Sequence, residues 1–287
     1  MSNADKYDVV ESLPDGSVIQ HGECNNRIYL MKKGSAASEE LAKLLISKAE
    51  ECGYSKIFAK VPFDSAAGFV KHGYRVEADI PGFYNGFETG VFLAFYLGTT
   101  RQFESDTALF ENNMQLAEAK KSATSQSLNK RFSLRKCSES DVAEMATIYR
   151  RVFPSYPFPI HDPDYLLMTM RDNVDYFCIE TKNKEVVALA SAEMDPKALN
   201  VEMTDFATLP EWCGNGLSIH LLQHMEQEME QKSIQTAYTI ARAASPGMNI
   251  TFRKQGYQFS GRLKNNTNIS GQIESMNVWY KPLITNS

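Results

Sequence analysis

The stretch Asp205-Phe206-Ala207-Thr208-Leu209-Pro210-Glu211-Trp212-Cys213-Gly214-Asn215-Gly216-Leu217 constrains the fold of this chain more than any other. An apolar extended segment stops at Pro210, turns through Gly214 and Gly216, and opens into an amphipathic helix. Leu217, Leu221, Leu222, Met225 and Met229 share one face of that helix, the spacing of a packed surface. A strand, a glycine turn and a helix N-terminus in that order form an anion site. Glycines let the backbone approach closely, and unpaired N–H groups at the positive end of the dipole face the ligand. A Gly-x-Gly alone is a weak signal, because many strand-to-helix turns contain one for steric reasons. A P-loop run is absent, and the third glycine of a Rossmann fingerprint is missing. The sequence therefore proposes a phosphate-bearing ligand held by some other strand–turn–helix architecture.

At 287 residues the chain is long for one domain and comfortable for two. An apolar fraction of 43% and a charged fraction of 23% are those of a soluble globular protein. A net charge of −5 argues against nucleic acid or an anionic membrane surface as the main partner. The cysteines Cys24, Cys52, Cys137, Cys178 and Cys213 show no C-x-x-C pairing. They read as reduced thiols of a cytoplasmic protein, not as a disulfide framework or zinc site. Residues 1–6 lack the basic and apolar regions of a signal peptide. No run approaches the ~18 apolar residues of a membrane span.

Residues 116–131 are polar, small and serine-rich, and read as a helix end followed by a linker. They divide an N-terminal lobe over 1–115 from a C-terminal domain over 132–287. In the C-terminal part, strands are expected over 132–135, 176–180, 186–194, 200–209, 236–242, 257–263 and 273–280. Helices are expected over 139–152, 163–171, 217–231 and 246–255, with a Pro/aromatic loop at 153–160. The series predicts an α/β (α+β) fold, a mixed sheet covered by helices. The halves also resemble each other. Phe69-Val70-Lys71-His72-Gly73-Tyr74 and Phe252-Arg253-Lys254-Gln255-Gly256-Tyr257 share Phe-x-Lys-x-Gly-Tyr, a helix ending in a glycine cap. A helix and a strand precede each motif, at 39–51 and 56–61 and at 217–231 and 236–242, and a hairpin follows each. Matching elements at matching distances read as an internal duplication. In the first copy the glycine turn shrinks to Lys33-Gly34-Ser35, so that copy reads as a degenerate, mainly structural lobe.

Residues 132–283 resemble the GNAT N-acetyltransferases. Leu209-Pro210-Glu211-Trp212-Cys213-Gly214-Asn215-Gly216 corresponds to that superfamily's acetyl-CoA motif, usually Gln/Arg-x-x-Gly-x-Gly/Ala. Glu211 and Cys213 stand where cationic or amide side chains are usual, so the backbone of Cys213, Gly214, Asn215, Gly216 and Leu217 must cradle the pyrophosphate. A second signature matches Asn249 through Tyr257, with Phe252 where the superfamily often has a catalytic tyrosine. The resemblance implies a GNAT fold, a mixed and mostly antiparallel twisted sheet flanked by helices, preceded by the degenerate lobe. Glu202 to Pro210, Thr239 to Ala243, Asn265 to Ile269 and Glu274 to Lys281 are further similar to the β-lysine N6-acetyltransferases. That likeness implies acetyl-CoA as co-substrate and L-β-lysine as the small-molecule amine. Lysine, a polyamine or another small amine is the alternative acceptor, and a CoA-binding regulatory module without turnover the alternative function. A homodimer is compatible with the sequence, which does not determine oligomeric state.

Acetyl transfer to an amine needs a bound thioester, a neutral amine and stabilisation of a tetrahedral oxyanion. In the implied fold strands 200–209 and 236–242 splay, and the backbone of Phe206, Ala207 and Thr208 binds pantetheine and faces the thioester oxygen. A lysine-type amine has a reference pKa of ~10.4, so its neutral form costs about 4.6 kcal/mol at pH 7. A carboxylate, acting directly or through water, recovers part of that. Glu202 is the expected base and Asp205 the alternative base or orienting group; alternation sends them to opposite faces. The competing reading of either is a solvent-facing or salt-bridged strand residue. Arg242, within an otherwise apolar strand, is the candidate cation for the β-lysine carboxylate, against a surface role at the strand end. Tyr156 and Phe158 would wall the carbon chain or plug the loop. Asn266, Asn268, Glu274 and Asn277 are further polar candidates, although turn formation explains the asparagines nearly as well. His220 and His224 lie four apart on one helix, but no third ligand accompanies them and no metal site is expected.

Overall fold

The computed structural model describes residues 7–121 and 127–284. The N-terminal residues 1–6 and the middle of the proposed linker, 122–126, lie outside the described residues. The first half runs β1 (Val9–Ser12), β2 (Val18–Gly22), β3 (Arg27–Lys32), α1 (Ser38–Glu51), β4 (Lys56–Pro62), α2 (Phe63–Val70), β5 (Arg75–Tyr84) and β6 (Glu88–Tyr96). These strands form one sheet in the order β1-β2-β3-β4-β6-β5. After α3 (Thr107–Glu118) come β7 (Phe132–Lys136), α4 (Val142–Val152), α5 (Pro163–Arg171), β8 (Val174–Thr181), β9 (Val186–Asp195) and β10 (Asn200–Thr208). The chain ends with α6 (Leu217–Gln231), β11 (Thr236–Arg242), α7 (Pro246–Lys254), β12 (Gln258–Ile269) and β13 (Gln272–Pro282). The second sheet has the order β12-β13-β11-β10-β9-β8-β7.

The two sheets repeat one pairing pattern. β3 and β4 pair in parallel across α1, then β4-β6-β5 continue antiparallel. β10 and β11 pair in parallel across α6, then β11-β13-β12 continue antiparallel. Each crossover helix forms because its apolar residues recur every three or four positions. Helix α6 buries the predicted stripe Leu217, Leu221, Leu222, Met225 and Met229, each worth about 1.5–3 kcal/mol on full burial. Helix α1 buries Leu41, Ala42, Leu45 and Ala49 in the same way.

Both faces of the first sheet are covered, which explains the near-continuous apolar runs of β4 and β6. One face packs under α1 and α2. The other shares a core with the second sheet, where Tyr29, Phe58, Ile80, Phe83 and Phe92 meet Tyr238, Leu263, Ile269, Met276 and Val278. Edge strands β5 and β12 approach so closely that a Cβ at Gly261 would stand 2.0 Å from the Glu77 carbonyl oxygen. Ser260 serves the exposed edge of β5, donating from its hydroxyl to Asp79 O (2.6 Å) and accepting from Asp79 N (2.9 Å). Helix α3 precedes the proposed linker yet buries Met114 and Ala117 in the second core.

Two local expectations differ from the structure. The expected helix over 139–152 begins as a 3-10 turn, Glu139–Asp141, held by a Ser138–Asp141 capping box. The strand expected to end near residue 263 instead runs on through the polar segment from Asn265, as β12 with a bulge between Leu263 and Thr267. Asn265 takes φ +42 there, and Arg101 O and Phe103 O accept from its side-chain amide at 2.9 and 2.8 Å. Among the described residues no helix is long and apolar enough to cross a membrane.

Candidate active site

The parallel β10–β11 pairing ends at the Glu202–Tyr238 register, although both strands run on. Beyond that point the sheet opens into a wedge. Strand β10 also bulges between Thr204 and Ala207, with Asp205 at φ +54. The sequence reading sent Glu202 and Asp205 to opposite faces, and the structure corrects this. The bulge breaks the two-residue alternation, so both carboxylates line one cavity of about 800 Å³.

The cavity extends from the glycine turn to the junction of the two sheets. Gly214, Gly216 and Leu217 line one end with Ser245, Gly247, Thr251 and Lys254 of the α7 region. Gly214 and Gly216 adopt φ +82 and +70, the left-handed region that glycine enters without strain, and the space above each is open. Gly216 is the N-cap of α6 and no side chain caps that helix end. The corresponding turn of the first copy is closed. There Asp15 accepts from Ala36 N (3.2 Å) and Ser17 Oγ (2.7 Å) through its carboxylate and from Ser35 N (2.9 Å) through its carbonyl. A Cβ on Gly34 would stand 2.3 Å from Asp15 O. The first copy fills its anion cradle with its own acidic loop.

Glu202 and Asp205, half-buried, and Glu193 and Asp172, exposed, line the same cavity, walled by Tyr29, Phe58, Tyr156, Phe158, Tyr165 and Tyr176. Glu193 is the cross-strand partner of Glu202. Loss of solvent, then repulsion from Glu193, raises the Glu202 carboxyl to about 7, while Lys60 and a hydrogen bond from Tyr238 restrain the rise. Loss of solvent raises Asp205 as well, and Glu193 rises in the same direction although its side chain is exposed at the cavity. Lys60 Nζ donates to Tyr238 Oη (3.2 Å) and sits among the rings of Tyr29, Phe83 and Tyr238. Both oxygens of Asp205 are engaged, accepting from the Tyr156 hydroxyl and from Ser191 Oγ (2.6 Å). Asp205 is thus placed to orient Tyr156, while Glu202 lines the cavity beside the Tyr238 hydroxyl.

Of the remaining sequence candidates, Phe206, Thr208, Cys213, Phe252, Arg242 and Asn266 line the cavity. Cys213 Sγ lies 3.7 Å from Leu209 O, and Phe206 stacks edge-on against Phe252 at 5.6 Å. Ala207 is fully buried behind them. Arg242 is committed to Glu274 through two bonds of 2.9 and 2.5 Å, which removes both side chains from a free role. Asn249 uses every position of its amide, donating to Arg242 O and Ser245 O and accepting from Asn277 and Trp279. Asn277 also accepts from Arg262 Nε (3.0 Å). Asn268 fastens the sheets together by donating to Cys24 O (2.9 Å). Asn249, Asn268, Glu274 and Asn277 therefore hold the frame and do not line the cavity.

Sequence reasoning missed Arg27, Tyr29, Lys60, Glu193 and Tyr238. The rule that singled out Arg242, a cation in an apolar strand, finds Arg27 and Lys60 equally well in the first half. It also missed Arg131, whose guanidinium donates to Asn215 Oδ1 and lies over the rings of Phe132 and Trp212. This cation flanks the glycine turn, where Glu211 and Cys213 lack one and Glu211 pairs with Arg151 at 3.0 Å.

A profile of the acetyltransferase (GNAT) family matches residues 142–257. A protein of Methanococcus maripaludis named β-lysine N6-acetyltransferase is 41% identical over 92% of this chain and 96% of its own length. This chain belongs to the GNAT family. It is an N-acetyltransferase. A protein of the same name from Methanosarcina mazei is 43% identical over 53% of this chain and 56% of its own length. The N-acetyltransferase YodP of Bacillus subtilis is 31% identical over 93% of this chain and 96% of its own length. The relatives from Methanococcus and Bacillus match more than nine-tenths of this chain, so the similarity takes in both sheets.

Proposed function

We propose that the enzyme transfers the acetyl group of acetyl-CoA directly to the N6 amine of L-β-lysine. Acetyl-CoA lies along the wedge, with its pyrophosphate at the glycine turn, and the amine enters the acidic part of the cavity. One observation carries the chemistry: Glu202, with its carboxyl raised to about 7, stands where the β10–β11 pairing opens. A base of that pKa is about half ionised at neutral pH and basic enough to take a proton from the attacking amine. The nitrogen lone pair adds to the thioester carbonyl, the tetrahedral oxyanion collapses, and the C–S bond breaks to release CoA thiolate. The 41% identity to a β-lysine N6-acetyltransferase over nearly the whole chain supports the acceptor. The product keeps one carboxylate and one ammonium, a neutral zwitterion suited to accumulation as a compatible solute.

Steady-state thiol release with β-lysine, lysine and spermidine tests this reading. β-Lysine should have the highest kcat/KM, and equal values for lysine would remove the acceptor assignment. Acetyl-CoA binding without thiol release for any amine would identify a CoA-binding module instead. The glycine turn is tested separately. Gly216→Val places a branched side chain at φ +70, a strain of about 1–2 kcal/mol, in the open space before the helix N-terminus. The KM for acetyl-CoA should rise roughly tenfold with kcat nearly unchanged. An unaltered KM would place the pyrophosphate elsewhere.

A further inference from the structure

At the sheet junction the cavity changes sign. Arg27, at the start of β3, lines it together with Asn266 and Thr267 of β12. Its side chain is only 3% exposed. Nη1 donates to Asn266 O (2.5 Å) and Thr267 Oγ1 (3.1 Å), and the guanidinium carbon lies 5.3 Å from the Tyr29 ring centre. Nε has no partner among the described residues, and neither has Oδ1 of the buried Asn266. The two orphans flank one hydroxyl, because Asn266 Nδ2 also donates to Thr267 Oγ1 (3.3 Å). Among the described residues no carboxylate forms an ion pair with Arg27. The neighbouring Arg101 is different: Asn265 O, Asn26 O, Ser55 Oγ and Asn25 O occupy its donors, and it does not line the cavity.

A buried cation with a free donor, and a buried amide oxygen with no donor, each carry a cost unless a ligand answers them. We propose that Arg27 of the N-terminal lobe binds the acceptor's carboxylate, with Asn266 Oδ1 accepting from the adjacent ammonium. The site thereby selects a β-amino acid over a simple diamine. This rests on the acetyl-transfer reading above and extends it to the opposite end of the acceptor. A β-amino acid carries its carboxylate and ammonium two carbons apart, so an acceptor and a donor sit side by side, matching the orphaned pair. The cavity then reads a zwitterionic head at one end and an amine for acetylation at the other. Polyamines, cationic along their whole length, meet an unanswered guanidinium there. The bulge of β12 aims Asn266 into the cavity, which gives that irregular segment a purpose. Burial lowers Arg27 to about 10, so it remains a cation at neutral pH.

Two measurements test the proposal. In the wild-type enzyme, calorimetric binding of 3-aminohexanoate, which has the head but no 6-amine, should be about 10- to 100-fold tighter than that of 2-aminopentane. Equal binding would overturn the head-group site whether or not acetyl transfer occurs. Next, kcat/KM is compared for β-lysine and for 1,4-diaminopentane, the same molecule without its carboxylate. Arg27→Met should shrink the wild-type preference for β-lysine by about 10- to 100-fold, mostly through KM. A preference unchanged in that variant would mean that Arg27 only ties the sheets together, and would overturn the proposal. If Arg27→Met does not fold, the wild-type binding comparison decides alone. No thiol release with any amine, with 3-aminohexanoate still bound tightly, would remove acetyl transfer while keeping the head-group site.

Discussion

Glu202→Gln lowers kcat/KM for β-lysine by about 10²- to 10⁴-fold, the usual loss when a positioned base is removed. The isosteric amide keeps the packing against Tyr238 and Glu193 but cannot accept the amine proton. Acetyl-CoA affinity should be unchanged, because the glycine turn lies at the other end of the cavity. The pH profile gives a sharper test. In wild type the active form has Glu202 ionised, so kcat/KM should rise with pH through about 7 and then level off. The variant should lack that limb, and a variant profile that keeps it would rule Glu202 out as the base. Stability should move the opposite way. A carboxyl whose folded pKa lies above its unfolded value favours the fold while protonated, and that contribution is lost as pH rises through about 7. Glu202→Gln should therefore melt at a higher temperature than wild type at pH 8 and near the wild-type temperature at pH 5.

The second large effect lies at the seam of the two sheets. Lys56 of β4 and Glu77 of β5 pair at 2.9 Å with side chains 0% and 6% exposed. Lys56 Nζ also donates to Lys264 O (2.7 Å), and Glu77 accepts from Lys264 N (3.1 Å) and the Tyr96 hydroxyl. Burial pulls Lys56 down to about 8 despite Glu77. Glu77→Ala leaves that ammonium with a single carbonyl, and breaking a buried pair from one side costs about 3–5 kcal/mol. The melting temperature should fall by roughly 6–20 °C. Lys56→Met with Glu77→Met should recover most of that loss, because two apolar side chains leave no buried charge. A single variant within about 1 kcal/mol of wild type by urea unfolding would show that water reaches the pair. The same segment of β12 leads into the bulge that carries Asn266, so a loosened seam should also weaken β-lysine binding.

How far the site could be read in the sequence depended on the range of the interactions involved. The 3.6-residue stripe of α6, the glycine turn and the strand spacing are local, and they placed α6 and β11 at the residues where they occur. The repeated pairing pattern was legible because both halves carry the same local signals. Glu202 and Asp205 were legible as carboxylates beside the turn, but not their shared face. That depends on a bulge set by pairing with β9. Asn249, Glu274 and Asn277 were misleading for the opposite reason: a buried polar side chain in a frame and one in a cavity look alike until their partners are known. Arg27 and Lys60 lie more than 140 residues before Glu202 in the chain, and no periodicity links them. The sequence by itself determined the order of strands and helices, the glycine turn before α6 and, through its resemblance to the GNAT family, the acetyltransferase reading, because the elements follow from local backbone demands and side-chain type and the resemblance from local motifs. Only the tertiary structure decided that Glu202 and Asp205 share one face, which polar groups have partners, and that the N-terminal sheet supplies a wall and a cation. Those outcomes turn on desolvation and on which partners reach each polar group, and both exist only once the two sheets share a core.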